Sequence, residues 1–426
     1  MAWVITLVLA GFNLLTTVAV LALIPLLIDA GLDATPLEVV GAVLPSGVLW
    51  LALLVVLVIS RNAFRVPLRR SRRALRAEGL ERAEALGRLR SLGGGTISWM
   101  IGWEPNRYLP AENGVVAYQS HAGVAIALGD PIAADGDHGA ALVAFARASE
   151  HAGLVPCVFS AGAVSADARP EGWRAVVVAE DTIVDLPGLQ FTGKPWSHVR
   201  TAINRAARDG IEFRMRTLAE EPWNVLAQVR AISEQWTGDK GLPEMRFTLG
   251  TVEEALDPET RIGIAVDAEG NLHGVTSWLP VYGEGGRVKG WTLDLMRRRD
   301  GGFGPVMEFL IASSAQHFGE QGYEFVSLSG APLVQPEGME PGPVDRLLGQ
   351  IGGLVEPLYG FRSLHRFKQK FNPRAEPLYL LYRDEGDLPG IGIAITRAYL
   401  PDASLRDLLA SASSASSPSS ATPVRG

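Results

Sequence analysis

The residues best suited to acyl or phosphoryl chemistry stand at the end of one predicted strand. Asp294 lies in this strand, and Arg297 follows three residues later at the start of a run of three arginines. A carboxylate beside cations suits the recognition of an amine together with a phosphate or an oxyanion. A local ion pair is the alternative, and the sequence leaves both open. In a regular strand one face carries Thr292, Asp294 and Met296, and the other carries Trp291, Leu293 and Leu295.

A second candidate stands in the segment FRSLHRFKQKF, whose pattern predicts an amphipathic helix over Phe361–Phe371. The predicted buried side carries Phe361, Leu364, Phe367 and Phe371, and the predicted solvent side carries Arg362, Arg366 and Lys370. Lys368 falls at the margin of the apolar stripe, where a desolvated ammonium is costly unless it has a charge partner. Lys368 is therefore the candidate functional lysine. The alternative is that its charge reaches solvent past its apolar neighbours.

A third candidate is the cationic helix predicted over Trp196–Arg208. Arg200, Asn204 and Arg208 are spaced i, i+4, i+8 on one side, with Arg205 beside them. No acid within the helix balances these cations, so an anionic partner is the functional hypothesis, and a solvated face is the alternative. The formal net charge of the whole chain is −7, so any contact with nucleic acid must come from such a local patch.

Other chemistries find weaker support. The spacing from Arg299 through Gly302 to Gly304 fits the R-x-x-G-x-G pattern with which GNAT enzymes hold coenzyme A, but so short a pattern arises easily by chance. The motif G-x-S-x-G is absent around Ser329, which argues against a serine hydrolase. One cysteine and seven scattered histidines argue against disulfides and against a thiolate or histidine metal site. We therefore expect no metal and no cofactor.

The elements that must position these residues read as two similar halves of a mixed α/β sheet. The first half predicts strands over 96–101, 115–119, 123–128 and 155–159 and a helix over 140–151. The second half predicts strands over 211–215, 262–266, 272–280, 288–296, 324–328 and 378–382, and helices over 196–208, 223–236, 305–318 and 361–371. This second succession matches the GNAT type of acyltransferase fold. The expected fold is thus a tandem of GNAT-like units, the first of them degenerate.

Two uncharged runs precede this part of the chain. They cover 3–28 and 39–60, and each is close to the roughly 20 residues that cross a bilayer as a helix. The loop between them is acidic, whereas seven arginines follow within 61–76, which predicts an inner-membrane hairpin with the remainder in the cytoplasm. The first run lacks the basic start of a signal peptide. The arginines are also placed to meet anionic lipid head groups.

These observations divide the chain into five predicted parts. They are two membrane helices over 1–60, a basic juxtamembrane helix and linker over 61–93, the first GNAT-like domain over 94–193, the second, catalytic one over 194–402, and a disordered tail over 403–426.

Six sequence blocks, in the same order along the chain, resemble the catalytic domain of the phosphatidylglycerol lysyltransferases (the multiple peptide resistance factors) and their alanyl-transferring relatives. The blocks are GDPIA (129–133), NRAARDG (204–210), SEQW to EMRFTLG (233–250), DLMRR (294–298), SLSGAPL (327–333) and FRSLHRFKQKFNPRAEPLYL (361–380). The resemblance implies an enzyme that takes an aminoacyl group from charged tRNA, its co-substrate, and esterifies it to a glycerol hydroxyl of the lipid.

The resemblance also implies roles for single residues. Asp294 and Arg297 look like the functional acid and arginine, Lys368 or Lys370 like the functional lysine, and Ser233 like a serine near the aminoacyl site. Arg205 and Arg208, with Asn204 and Arg366, are expected to help bind the substrates. Large family members carry a long multi-span flippase region, whereas only two spans are predicted here, so the modified lipid is expected to stay in the inner leaflet. Two alternatives remain: a membrane-tethered N-acyltransferase that uses acyl-coenzyme A, and a non-catalytic protein that binds tRNA or anionic lipid.

Overall fold

The computed structural model describes residues 79–238, 245–332 and 361–401. The predicted membrane hairpin over 1–60, most of the juxtamembrane segment and the tail over 403–426 lie outside these residues. Within the described ranges, no helix is both long and apolar enough to cross a bilayer.

Twelve strands lie in the described residues: β1 Arg107–Ala111, β2 Gly114–His121, β3 Val124–Leu128, β4 Ile132–Ala133, β5 Val155–Ala161, β6 Arg174–Asp185, β7 Glu212–Arg216, β8 Arg261–Val266, β9 Leu272–Tyr282, β10 Val288–Arg298, β11 Phe325–Pro332 and β12 Arg374–Tyr382. The described α-helices are α1 Arg82–Leu92, α2 His138–His151, α3 Ala163–Asp167, α4 Ser197–Arg208, α5 Trp223–Gly238, α6 Val252–Ala255, α7 Val306–Glu320, α8 Phe361–Lys368 and α9 Leu388–Tyr399. The predicted mixed α/β sheet is confirmed.

The described strands form one sheet whose order interleaves the two halves of the chain. The order is β1-β2-β3-β5-β12-β6-β11-β10-β9-β8-β7, with β4 paired to β2. Strand β12 of the second half inserts between β5 and β6 of the first, and β6 pairs in turn with β11. The sheet therefore continues across the predicted boundary at 193/194, and the division into two domains stays a prediction.

Each half contains a parallel pair, β3 with β5 and β10 with β11. The pairing of β10 with β11 ends at Thr292 and Ser327, after which the two strands separate. Ser329 follows with a φ of 68°, and Ser160 near the end of β5 has a φ of 59°. A non-glycine residue in this left-handed region costs about 1–3 kcal/mol and persists where its surroundings hold it, often at functional sites.

The two faces of the second half are covered by different helices. Ile262 and Ile264 of β8 pack with residues of α5, whereas Ala265 packs with residues of α4 and α7. Because successive side chains of a strand point to opposite faces, α5 covers one face of the sheet and α4 with α7 covers the other.

Strand β10 carries one extra residue opposite β9. Leu293 pairs with Trp278 and Met296 with Thr276, so three steps along β10 match two along β9, which is a β-bulge. Leu295 consequently packs on the α5 face, whereas Leu293 packs on the opposite one. The predicted alternation of faces is therefore wrong from Leu295 onward, because the bulge shifts the strand by one residue.

Most predicted elements are present, with ends that differ by a few residues. The exception is 96–101, predicted as a strand, which contains instead a 3₁₀ turn over Ser98–Gly102. All five residues of the turn are buried, and an unbroken buried run does not distinguish a turn from a buried strand. The Ser98 hydroxyl donates to the carbonyl of Gly95 at 2.6 Å and holds the turn. Strands β1, β4 and β6 and helices α3, α6 and α9 are absent from the predicted set.

Candidate active site

The Asp294 carboxylate lies on the α5 face, where two donors hold it. The backbone N–H of Gly250 donates to its Oδ1 at 2.8 Å, and the Ser277 hydroxyl donates to its Oδ2 at 3.4 Å. The same hydroxyl accepts the N–H of Leu295 at 2.9 Å, which ties the bulge to β9. Burial raises the pKa of Asp294 to about 7, against the opposing effects of the Gly250 N–H and the Arg297 charge. Asp294 can therefore exchange a proton near neutral pH.

Gly250 is a site residue that the sequence analysis placed in a family block without a role. A Cβ added to Gly250 would lie 2.1 Å from Oδ2 of Asp294. Only glycine brings the backbone N–H so close to the carboxylate without a clash. The block EMRFTLG that ends at Gly250 was the available signal, but spacing alone could not reveal its contact with a residue 44 positions away.

We expect Gly250→Ala to displace the Asp294 carboxylate and to lower the catalytic rate at least tenfold, because a shift of about 1 Å in a catalytic group can cost about 10²-fold. The rate is compared between the purified variant and the unaltered protein in the same assay. Gly87→Ala is the matched control, since a Cβ there meets nothing within 4 Å. An unchanged rate in a folded Gly250→Ala protein would contradict the proposed importance of Asp294.

Arg297 is buried against an aromatic ring on the same face. Its Cζ lies 3.7 Å from the centre of the Trp236 ring, and its Nη1 donates to the carbonyl of Met296 at 3.0 Å. Its side chain is held largely out of water, with 8% of the residue exposed. A desolvated cation on an indole ring gains about 2 kcal/mol. The positive charge is therefore fixed close to Asp294.

Lys368 is buried, and its charge does not reach solvent past its apolar neighbours, which was the alternative that the sequence left open. The residue is 3% exposed, and its Nζ donates to the carbonyls of Ser329 at 2.8 Å and Gly330 at 3.2 Å. Burial lowers the pKa of Lys368 to about 8, and the charge of Asp181 opposes this. The sequence indicated that a buried Lys368 ammonium needs an opposite charge, and Asp181 supplies one. The chemical role of Lys368 stays a prediction.

A cavity of about 1180 Å³ opens on the α4–α7 face. It is bounded by α4, the end of α5, the start of α7 and helix α8 with the 3₁₀ turn Gln369–Phe371. Its charged lining comprises four cations and two acids, namely Arg205, Arg298, Arg366, Lys370, Asp300 and Glu308. Among the described residues, no acid lies within ion-pair distance of Arg298 or Arg366. The cavity is therefore net positive and suits an anionic ligand.

The predicted substrate-binding residues divide between this cavity and other places. Arg205, Arg366 and Lys370 line it. Asn204 and Arg208 are exposed on α4 outside the lining, and Ser233 is buried within α5. Of the predicted cationic patch on α4, only Arg205 therefore faces the cavity, and it also pairs with Asp209 at 3.3 Å.

Lys370 lies on the predicted solvent side of the helix, with 33% of its side chain exposed, but its charge is paired. Its Nζ pairs with Glu308 at 2.7 Å and lies 5.1 Å from the centre of the Phe367 ring. Arg366, one helical turn earlier, lines the same cavity, so Lys370 keeps the side of the helix that the sequence pattern assigned to it.

The three predicted catalytic residues do not share one cavity wall. Asp294, Arg297 and Lys368 are absent from the lining of this cavity in the described part of the chain. Trp236, which Arg297 covers, does line it, as does Met296 beside Arg297. On the Lys368 side, the Ser329 hydroxyl donates to the carbonyl of Leu293, the neighbour of Asp294. All three residues thus lie inside the protein around the end of β10.

The loop with the coenzyme A-like spacing has its amides engaged within the protein. The N–H of Gly302 donates to the carbonyl of Arg299 at 3.2 Å, and that of Phe303 donates to Nδ1 of His273 at 2.9 Å. A pyrophosphate cradle needs such N–H groups turned toward the ligand. Within the described residues, no group of three acids, histidines or cysteines could hold a metal ion.

The fold and these sites define the class: an α/β protein of GNAT-type element order, with a buried acid and lysine near a cationic cavity. A model of the family "Phosphatidylglycerol lysyltransferase, C-terminal" matches residues 87–382. The chain belongs to this family.

Three similar proteins illustrate the relationship. An uncharacterized protein of Corynebacterium glutamicum is 41% identical over 73% of this chain and 40% of its own length. The lysylphosphatidylglycerol biosynthesis bifunctional protein LysX of Nocardia farcinica is 28% identical over 69% of this chain and 26% of its own length. The crystal structure of the C-terminal domain of a putative lysylphosphatidylglycerol synthetase from Agrobacterium fabrum is similar in fold, with a TM-score of 0.65 and 23% identity over 76% of this chain and 99% of that one. The matched segment thus spans less than half of the two relatives.

Proposed function

We propose that this chain is a membrane-anchored aminoacyltransferase, which moves a lysyl or alanyl group from charged tRNA to a glycerol hydroxyl of phosphatidylglycerol. Membership of the family supports the lipid as acceptor, and a relative is named for lysylphosphatidylglycerol biosynthesis. The observation that carries the proposal is the buried Asp294, whose pKa is about 7, beside Arg297 and near a cationic cavity.

The reaction requires the protein mainly to position the two substrates and to transfer a proton. The donor is already an activated ester, so the lipid hydroxyl oxygen attacks its carbonyl carbon while the hydroxyl proton passes to a base. Asp294 is the proposed base, and it returns the proton to the ribose oxygen that leaves. Arg297 and Lys368 are the proposed cations that stabilise the tetrahedral oxyanion or bind phosphate.

The cationic cavity is the proposed site for the phosphate-bearing part of a substrate. Arg298 and Arg366 supply positive charge that no described acid neutralises, whereas Lys370 forms an ion pair with Glu308. Both tRNA and phosphatidylglycerol carry phosphodiesters, so either satisfies the same chemistry. Cytoplasmic placement at the inner membrane, with the arginines of 61–76 against anionic lipid, would bring both substrates to this site.

Expression of the full chain in cells that lack aminoacylated lipids is expected to produce a new lipid, whose mass equals phosphatidylglycerol plus one aminoacyl group. Lipid extraction and mass spectrometry measure this, and the added mass identifies donor and acceptor together. Ribonuclease treatment of the purified reaction should abolish the product. Absence of any aminoacyl lipid would overturn the proposal in favour of a binding protein, and product formation from acyl-coenzyme A would favour the N-acyltransferase.

A further inference from the structure

Asp181 belongs to the first half of the chain but lies between two strands of the second half. On β6 it pairs in register with Gly330 of β11 on one side and with Glu376 of β12 on the other. Gly330 is one of the two residues whose carbonyls accept from Lys368. The first half therefore places a carboxylate directly across from the point where the Lys368 ammonium is bound.

Burial and hydrogen bonds hold the carboxylate of Asp181 in this position. The residue is 2% exposed, and both its oxygens accept hydroxyl donors: Oδ1 from Ser327 at 2.5 Å and Oδ2 from Thr96 at 2.5 Å. The Ser327 hydroxyl in turn accepts the N–H of Ser329 at 2.9 Å. Two acceptor oxygens are the pattern of an ionised carboxylate.

The same contacts hold the left-handed backbone at Ser329, whose carbonyl accepts a hydrogen bond from Lys368. The left-handed Ser329 turns its carbonyl so that Thr182 of β6 donates to it at 3.0 Å and Lys368 donates to it at 2.8 Å. The Ser329 hydroxyl reaches across the gap between β11 and β10 to the carbonyl of Leu293. Asp181, Ser329 and Lys368 thus form one connected cluster at the separation of the parallel strands, adjoining Asp294.

We propose that Asp181 is a positioning residue that keeps the Lys368 ammonium charged and directed at the strand separation next to Asp294. The active site is then assembled from both halves, and the first half supplies an essential charge rather than only a scaffold. This inference rests on the proposed role of Lys368 in aminoacyl transfer.

The sign of the effect follows from the charges that face Lys368. Asp181 on β6 raises the pKa of Lys368 and opposes burial, which lowers it. Burial raises the pKa of Asp181, the Ser327 and Thr96 hydroxyls and the Lys368 charge oppose this, and Glu376 on β12 adds to the rise. Removing the Asp181 charge must therefore lower the pKa of Lys368 below about 8, and the ammonium loses its proton at a lower pH.

The test is Asp181→Asn in the full chain, with Asp185→Asn as the matched control, because Asp185 lies on the same strand but pairs with the exposed Arg374. The pKa of Lys368 is read by NMR of isotope-labelled lysine side chains. The chain has five lysines, Lys194, Lys240, Lys289, Lys368 and Lys370, and Lys368→Met assigns the signal. The alkaline limb of aminoacyl transfer is measured in parallel.

Asp181→Asn is expected to lower the pKa of Lys368 by about one unit or more and to shift the alkaline limb of transfer by the same amount. Asp185→Asn should leave both unchanged. An unshifted Lys368 signal in folded Asp181→Asn protein would overturn the inference, as would reduced but measurable transfer whose alkaline limb has not moved. A shifted signal in a protein without transfer activity would uphold the pairing of Asp181 with Lys368 and reject the proposed function instead.

Discussion

Replacing Asp294 with asparagine is expected to lower aminoacyl transfer by about 10²-fold or more, the contribution typical of a positioned general base. Asparagine has the same shape, and its side-chain oxygen can still accept the N–H of Gly250, which donates to Asp294 at 2.8 Å in the unaltered protein. A loss of transfer in this variant therefore reports the loss of the oxygen that accepts the proton. Transfer by the purified full chain is measured from pH 5.5 to 9.5. Asp135→Asn, on an exposed residue, is the matched control.

The pH profile of the unaltered protein provides a second readout. Transfer is expected to rise as Asp294 ionises near its pKa of about 7 and to fall as Lys368 loses its proton near its pKa of about 8, giving a bell-shaped curve. The Asp294→Asn variant should lose the acidic limb and keep the alkaline one. An acidic limb that persists in the variant would assign the base to another residue.

The same substitution is expected to stabilise the fold at pH 8. The folded pKa of Asp294 is about 7, above its ordinary value of 3.8, so from pH 4 to 7 the folded state holds a proton that the unfolded state has released. This favourable contribution is complete below pH 4 and is lost as pH rises through 7. Each unit of raised pKa corresponds to about 1.4 kcal/mol. Between pH 5 and pH 8, urea unfolding should show the free energy of unfolding of the variant rising relative to that of the unaltered protein.

Lys368→Met is expected to abolish measurable transfer and to destabilise the fold by about 1–3 kcal/mol, because it leaves the carboxylate of Asp181 buried without the opposing Lys368 charge. Loss of a cation that stabilises a developing oxyanion costs about 10²–10³-fold in rate. Urea unfolding and transfer assays at pH 7.5 measure the two effects. Lys194→Met, on an exposed lysine, should change neither.

A second variant separates the chemical loss from the structural one. Adding Asp181→Asn to Lys368→Met removes the orphaned charge, so most of the lost stability should return. Transfer should remain absent from this folded double variant, since no ammonium is left at the strand separation. If the double variant regained both stability and transfer, Lys368 would be a purely structural residue.

Local patterns were sufficient for much of the fold. The order of strands and helices from 212 to 382 follows from runs of apolar residues and from helical spacing, and the structure contains it. The same kind of pattern placed Lys368 at the edge of the buried stripe of α8, because amphipathic spacing reports which side of a helix meets the core. The pattern failed at the Ser98–Gly102 turn, where a continuously buried run carries no period.

The sequence by itself therefore determined the mixed sheet, the family, and Asp294, Arg297 and Lys368 as candidates, since periodicity and motifs depend on neighbours in the chain. Tertiary structure alone decided what surrounds those candidates. It inserted β12 between β5 and β6, brought Asp181 to the strand that binds Lys368, and set Gly250 against Asp294. These contacts join residues far apart in the chain, and strand register and a single bulge decide which of them meet.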